Sequence, residues 1–255
     1  MPEWLVLVLA ILVACAAVVG FVVLRERRTD GGDPSETPDV IEYMTMMTGV
    51  VYAIVLGLAI AGVWEARNVA DAAATEEAQA LHEIHERVSV APEGPRERIR
   101  SDVAAYVDHT VRTEYPYMVK HGELTRRGGE LLTELRKDSL AWQPRTPREE
   151  QTYSAVADRV AAVDAARTGR GDSAQPTLPG VVWIGLFAGA VVSIGMLFAL
   201  QIQRSRRELL LAGLFTALIA FLLFLVRHFD EPFARGLSDP AGAFTALFPH
   251  AGGGG

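Results

Sequence analysis

A chain of 255 residues that is 50% hydrophobic and 22% charged, with a net charge of −7, is too apolar for disorder and too unevenly apolar for one water-soluble core. No basic stripe is present to neutralise a phosphate backbone, which excludes nucleic acid as a partner. A single cysteine, Cys15, excludes an intrachain disulfide and a cysteine-based metal site.

Four apolar runs organise the rest: residues 4–24, 46–64, 181–202 and 209–226, of 21, 19, 22 and 18 residues, none containing Asp, Glu, Lys, Arg or His. At about 1.5 Å rise per residue each suffices for a hydrocarbon core of about 30 Å. The first run, within segment 1–24, contains Leu12-Val13-Ala14-Cys15, similar to a lipoprotein cleavage box. No basic residue precedes it and the apolar run continues to Leu24, so Cys15 reads as an ordinary membrane residue. Segment 25–45 is a loop rich in Gly, Pro and acidic residues. The second span, 46–64, carries Gly49, Ala53, Gly57 and Ala61 at i, i+4 spacing, a ridge that lets helix backbones approach closely.

Segment 65–168 reads as a soluble helical domain. Val69, Ala73, Ala80, Leu81, Ile84 and Val88 give an apolar stripe that extends the second span into solution, and Pro92-Glu93-Gly94-Pro95 is predicted to end it. Ile99, Val103, Tyr106, Val107 and Val111 predict a second helix that Pro116 should kink or stop. Leu131, Leu132 and Leu135 mark a third. Thr146-Pro147-Arg148-Glu149 is an N-cap, an N1 proline and a capping-box glutamate, followed by Tyr153, Val156, Ala157, Val160 and Val163 on one face; this fourth helix should stop at Gly169. Residues 169–180 form a linker. The third span, 181–203, repeats the small-residue ridge in Gly185, Gly189 and Ser193. A short basic connection leads to the fourth, 209–226, and 227–255 is a C-terminal tail.

Candidate chemistry is sparse. No ionisable residue interrupts a span, which disfavours a proton pump or ion-coupled transporter and leaves a passive channel open. His82, His85 and Glu86 share a helical face, but their spacing fits no zinc motif, and with Glu76, Glu77 and Glu83 they read as a solvated acidic face. Arg170-Gly171-Asp172 reads as a chance tripeptide within the linker. No phosphate loop, dinucleotide fingerprint or nucleophile motif appears, so no enzyme, cofactor or metal site is predicted.

A series of short segments does carry information. Gly49-Val50-Val51-Tyr52, Val63-Trp64, Glu77-Ala78 with Leu81, Tyr106, Glu114-Tyr115-Pro116, Arg159, Leu178-Pro179 with Trp183, and Asp230 with Pro232-Phe233, Gly236 and Pro240 follow one another in an order that resembles the bacterial bestrophin-like domain family of membrane proteins. The resemblance covers residues 43–244. Bestrophins proper are pentameric anion channels whose second span lines the pore, so the resemblance implies a pore-lining role for Gly49, Tyr52 and Gly57. The chain departs from that pattern in lacking a recognisable calcium clasp and an aromatic-rich neck.

The expectation is therefore an all-α integral membrane protein, with four transmembrane helices as two hairpins flanking a soluble helical bundle, and a homo-oligomer in the cell membrane. Its function would be an oligomeric anion channel with small anions as partners. The alternative is a non-conducting scaffold or envelope sensor whose helical domain binds a partner. Arg25, Arg27, Arg28, Arg204, Arg206 and Arg207 place the two short loops in the cytoplasm by the positive-inside rule, and hence the termini and helical domain outside. Bestrophin helical domains are cytosolic, so the two orientations conflict, and the arginines decide the prediction.

Overall fold

The computed structural model describes residues 39–199, 206–230 and 241–249. The predicted first span, Cys15, Arg25, Arg27, Arg28, Arg204, Pro232, Phe233, Gly236 and Pro240 lie outside the described residues. Regular structure in the described residues is helical: α1 (Asp39–Arg87), α2 (Glu93–His109), α3 (Tyr115–His121), α4 (Arg126–Ala141), α5 (Pro147–Asp172), α6 (Gly180–Ala199), α7 (Arg206–Phe229) and α8 (Gly242–Leu247). A tight 3₁₀ turn, Val88–Val90, follows α1, and a π turn, Thr110–Glu114, joins α2 to α3. Among the described residues three helices, α1, α6 and α7, are long and apolar enough to cross a membrane. They carry three of the four predicted spans; the fourth prediction falls on residues 4–24.

The chain divides into two compact units. The membrane unit comprises residues 1–64 and 178–230, and its core joins Tyr52, Leu56, Ala59 and Val63 of α1 to Leu186 and Ala190 of α6 and Ile219, Val226 and Phe229 of α7. Contact between α1 and α6 is made at a glycine. Tyr52 lies over Gly189, where an added Cβ would sit 2.6 Å from the ring, and its hydroxyl donates to the Leu186 carbonyl at 3.1 Å. At most 22% of each apolar stretch is buried within the chain, so most of this surface is available to lipid or to other copies.

The helical unit comprises residues 65–177 and 231–255. Thr125 caps α4, its hydroxyl accepting the Gly128 N–H at 3.1 Å, and Thr146 caps α5 through the Glu149 N–H at 3.2 Å. The predicted capping box closes one residue early, because the Glu149 carboxylate accepts from Arg145 N–H at 2.6 Å rather than from the cap residue. Pro92-Glu93-Gly94-Pro95 opens α2 rather than closing α1. Pro95 is the third residue of that helix, where an N–H has no intrahelical partner to lose. Pro116 sits in the first turn of α3, directly after the π turn. An i→i+5 turn is wide, and that width accommodates a ring that would collide with the preceding helical carbonyls.

Two expectations about faces need correction. Val69 is exposed, and the buried positions of α1 beyond the membrane are Arg67, Ala70, Ala74, Glu77, Ala78, Ala80, Leu81 and Ile84. Glu77, read as part of a solvated acidic face, is fully buried. The core of the helical unit is otherwise the predicted apolar set, with Ile99, Val103, Tyr106, Leu131, Leu135, Val156, Val160 and Val163 in one cluster. The tail contributes Phe244 of α8, fully buried and edge-on to Tyr115 at 5.9 Å.

Candidate functional site

Within the helical unit, four elements send charged or polar side chains to one dry point. Glu77 comes from α1, Tyr106 from α2, Glu114 from the π turn and Arg170 from the last turn of α5, and all four are fully buried. Arg170 forks onto Glu77, with Nε donating to Oε2 at 2.6 Å and Nη2 to Oε1 at 3.0 Å. Nη2 also donates to Glu114 Oε1 at 2.7 Å, Nη1 to the Met118 sulfur at 2.8 Å, and the guanidinium lies 5.0 Å from the Tyr115 ring centre. Tyr106 completes Glu77 by donating its hydroxyl to Oε1 at 2.6 Å.

The second oxygen of Glu114 lies at the start of α4. It accepts from Thr125 N–H at 3.1 Å, Thr125 Oγ1–H at 2.5 Å and Arg167 Nη2 at 2.8 Å. Because the Thr125 hydroxyl spends its one proton on Glu114, it accepts from the Gly128 N–H and from His109 Nε2 at 2.8 Å, which fixes the proton of that imidazole on Nε2. A side chain at Gly128 would collide with Glu114 Oε2 and stand 2.7 Å from Arg167 Nη2. Glycine is therefore what lets the carboxylate reach the helix end.

Two carboxylates and two guanidiniums make the cluster neutral overall. Burial opposes the charge on Glu114, but Arg170, Thr125 and Arg167 together outweigh it and hold its pKa below the usual value. Burial and the adjacent Glu77 push the Tyr106 hydroxyl well up, so it stays a donor. Desolvation lowers the pKa of His109. Such a cluster adds little net stability over an apolar core, since desolvation offsets most of the Coulombic gain, but one missing partner leaves a buried charge. Its evident effect is to fix α1, the π turn and α5 in one geometry.

In the membrane unit the two small-residue ridges differ. Around Gly49 and Gly57 no described atom would lie within 4 Å of an added Cβ, and Ala53 and Ala61 are exposed. The face of α1 that packs inside the chain is instead Tyr52, Leu56, Ala59 and Val63, so the first ridge is not used for packing among the described residues. On α6, Gly189 packs against Tyr52, Ser193 is buried, and Gly185 is open.

The remaining motif positions fall into local roles. Asp230, 1% exposed, accepts from the Leu178 N–H at 2.7 Å and from Trp183 Nε1 at 3.0 Å, tying the entry of α6 to the exit of α7. The Pro179 carbonyl accepts the Val182 N–H at 2.9 Å in the first turn of α6. Trp64 stands edge-on to Phe229 at 5.3 Å. Arg159 makes a half-exposed ion pair with Glu83 at 3.7 Å.

Sequence reasoning missed Arg170, because a Gly-Arg-Gly-Asp string reads as a linker. Instead α5 runs through Gly169 to Asp172, and Arg170 lies in phase with Val156, Val160, Val163 and Ala166. An arginine in register with an apolar stripe was the available signal. His82 and His85 flank Phe248, at 5.8 and 6.4 Å between ring centres.

The sequence matches the model of the bestrophin-like domain over residues 8–238, nearly the whole chain. This protein belongs to the bestrophin-like domain family. Its fold is that of a crystallised variant of a bacterial bestrophin homologue from Klebsiella pneumoniae, 11% identical over 97% of this chain and 99% of that one, with a TM-score of 0.67. A second variant of that homologue aligns at 9% identity over 98% and 99% of the two chains, with a TM-score of 0.62. A structure described as a membrane protein variant aligns at 12% identity over 98% of each chain, with a TM-score of 0.66. Among curated proteins, none matches the sequence. The chain is a multi-pass membrane protein of this family.

Proposed function

We propose that the chain is the subunit of an oligomeric, passive anion channel in the cell membrane, in which α1 faces the permeation path or a neighbouring copy through Gly49, Ala53, Gly57 and Ala61. The observation that carries this reading is the uncovered ridge of α1. Its small residues stand open among the described residues, while apolar association in a bilayer depends on close backbone contact. Membership of the bestrophin-like domain family supports a channel. The absence of ionisable residues from 46–64, 181–202 and 209–226 fits a path gated by apolar constriction rather than by charge transfer.

The test is purified protein in planar bilayers under an asymmetric chloride gradient, with oligomer mass measured on the same sample. Discrete currents that reverse near the chloride potential, from a defined oligomer, are expected. A folded oligomer that stays silent would transfer the function to partner binding by the helical unit.

A further inference from the structure

The tail meets the helical unit on a surface that can take up protons. Residues 241–248 contain no charged side chain, so apolar contact holds them in place. Phe244 is fully buried and stands edge-on to Tyr115 at 5.9 Å. Four residues later Phe248 stands edge-on to His82 at 5.8 Å and to His85 at 6.4 Å. The Phe248 N–H donates to the Phe244 carbonyl at 2.7 Å, which fixes the second ring relative to the first.

Charges surround the two imidazoles on every side but that of the tail. Arg100 of α2 donates Nε to the His85 carbonyl at 3.2 Å, and Glu86 follows His85 in the chain. Glu83, between the histidines, is held by Arg87 at 3.3 Å and by Arg159 of α5 at 3.7 Å. A neutral imidazole packs against a phenyl ring as another aromatic would. A protonated one carries a charge near Arg100 beneath an apolar ring, where water is excluded and the tail offers no carboxylate in return. Cation–π attraction reaches only about 6 Å, so these contacts regain little of that loss. Burial lowers the pKa of His85 below 6.5, and Arg100 and His82 lower it further against the pull of Glu86. A group whose pKa is lowered by a contact supports that contact above its ordinary value and opposes it as pH falls below.

We propose that His82, His85 and Phe248 form an acid-released clasp on the tail. With both imidazoles neutral, Phe248 lies against α1; protonation lifts Phe248 and the residues after it away, while Phe244 stays in the core. Apolar burial of Phe244 is the stronger hold, so release is confined to the end of the tail. This clasp is independent of whether the chain conducts.

The experiment uses the full chain in detergent with a nitroxide on Pro249→Cys in a Cys15→Ser background. Pro249 is exposed and adjoins Phe248. The mobile fraction of the spin-label spectrum is expected to rise at least threefold between pH 7.5 and pH 5 and to return on neutralisation. His82→Gln with His85→Gln should keep the low value at both pH values. Phe248→Ala should give the high value at both, with the helical signal of the chain unchanged. A mobile fraction indifferent to pH, a rise that survives the double histidine exchange, or a label left immobile by Phe248→Ala would each overturn the clasp.

Discussion

Arg170 closes a two-point fork on Glu77 while one of the same nitrogens, Nη2, reaches Glu114 at 2.7 Å. A single guanidinium thus neutralises carboxylates from α1 and from the π turn, both fully buried. Arg170→Met should remove about 3–5 kcal/mol of stability, because two carboxylates stay behind with incomplete partners. Replacing Arg170, Glu77 and Glu114 together by apolar residues should recover much of that loss. Chemical unfolding of the detergent-solubilised chain, followed by helical signal, reads both. Equal loss in the single and triple variants would contradict the account.

Two carboxylates give the helical unit opposite acid responses. Glu114 is depressed below its ordinary value of 4.5, so its stabilising contribution is present above that value and fades as pH falls below it. Asp102 is pushed up to about 6 from an ordinary 3.8, first by burial and then by Asp138 and Glu134. It therefore costs stability that is fully felt above pH 6 and relieved as pH falls toward 4. On these two groups stability rises as pH falls from above 6 toward 4.5 and declines below 4.5, while the lowered pKa of His109 opposes the rise. Asp102→Asn should raise the melting temperature at pH 7.5 and leave it unchanged near pH 4.

Adjacent glycines should respond differently to one methyl group. At Gly128 the added carbon collides with Glu114 and Arg167, whereas at Gly129 the nearest atom, Arg167 Nη1, is 3.9 Å away. Gly128→Ala should cost roughly 1–3 kcal/mol, the range for forced overpacking, and Gly129→Ala should be neutral or slightly stabilising through helix propensity. Thermal unfolding of the two variants side by side makes the comparison.

The ridges of α1 and α6 offer a second paired test. Gly189→Leu should disrupt the chain itself by displacing Tyr52, seen as lost thermal stability in detergent. Gly57→Leu meets no described neighbour, so a single chain should tolerate it, while conductance or oligomer mass should fall if this face serves the assembly. A Gly57→Leu protein with normal currents and normal mass would remove the ridge from the proposed mechanism.

Orientation is open to direct chemistry. Lys137 on α4 is exposed, and Lys137→Cys in a Cys15→Ser background should be labelled by an impermeant maleimide on intact cells if the loop arginines set the topology. Labelling only after lysis would put the helical unit in the cytoplasm.

What could be read from the sequence was periodic and local. Apolar runs place α1, α6 and α7, and the leucines of α4 and valines of α5 mark the faces that are buried. Tyr106, Glu77 and Glu114 were picked out one by one, without a hint that they touch. Their meeting depends on a π turn, which leaves no composition signal, and on an arginine hidden in a string that looked unstructured. Val69 misled because a β-branched apolar residue at an exposed position is indistinguishable, in a short window, from one in phase with a core. Phe244 was unreadable for another reason. A six-residue helix has too little pattern to announce that its tail folds back on the helical unit.

The uninterrupted length of α1, 49 residues from Asp39 to Arg87, gives its sequence a phase as well as a composition. From Arg67 onward its buried positions are Arg67, Ala70, Ala74, Glu77, Ala78, Ala80, Leu81 and Ile84, a stripe on the helical period that widens to Ala78 and Ala80 beside Glu77. One residue inserted after Ala72 would turn Glu77 by about 100° relative to Ala70, so that the two no longer face one core. Between Ala70 and Ile84 the helix therefore accepts substitution on its outer face but no change of length.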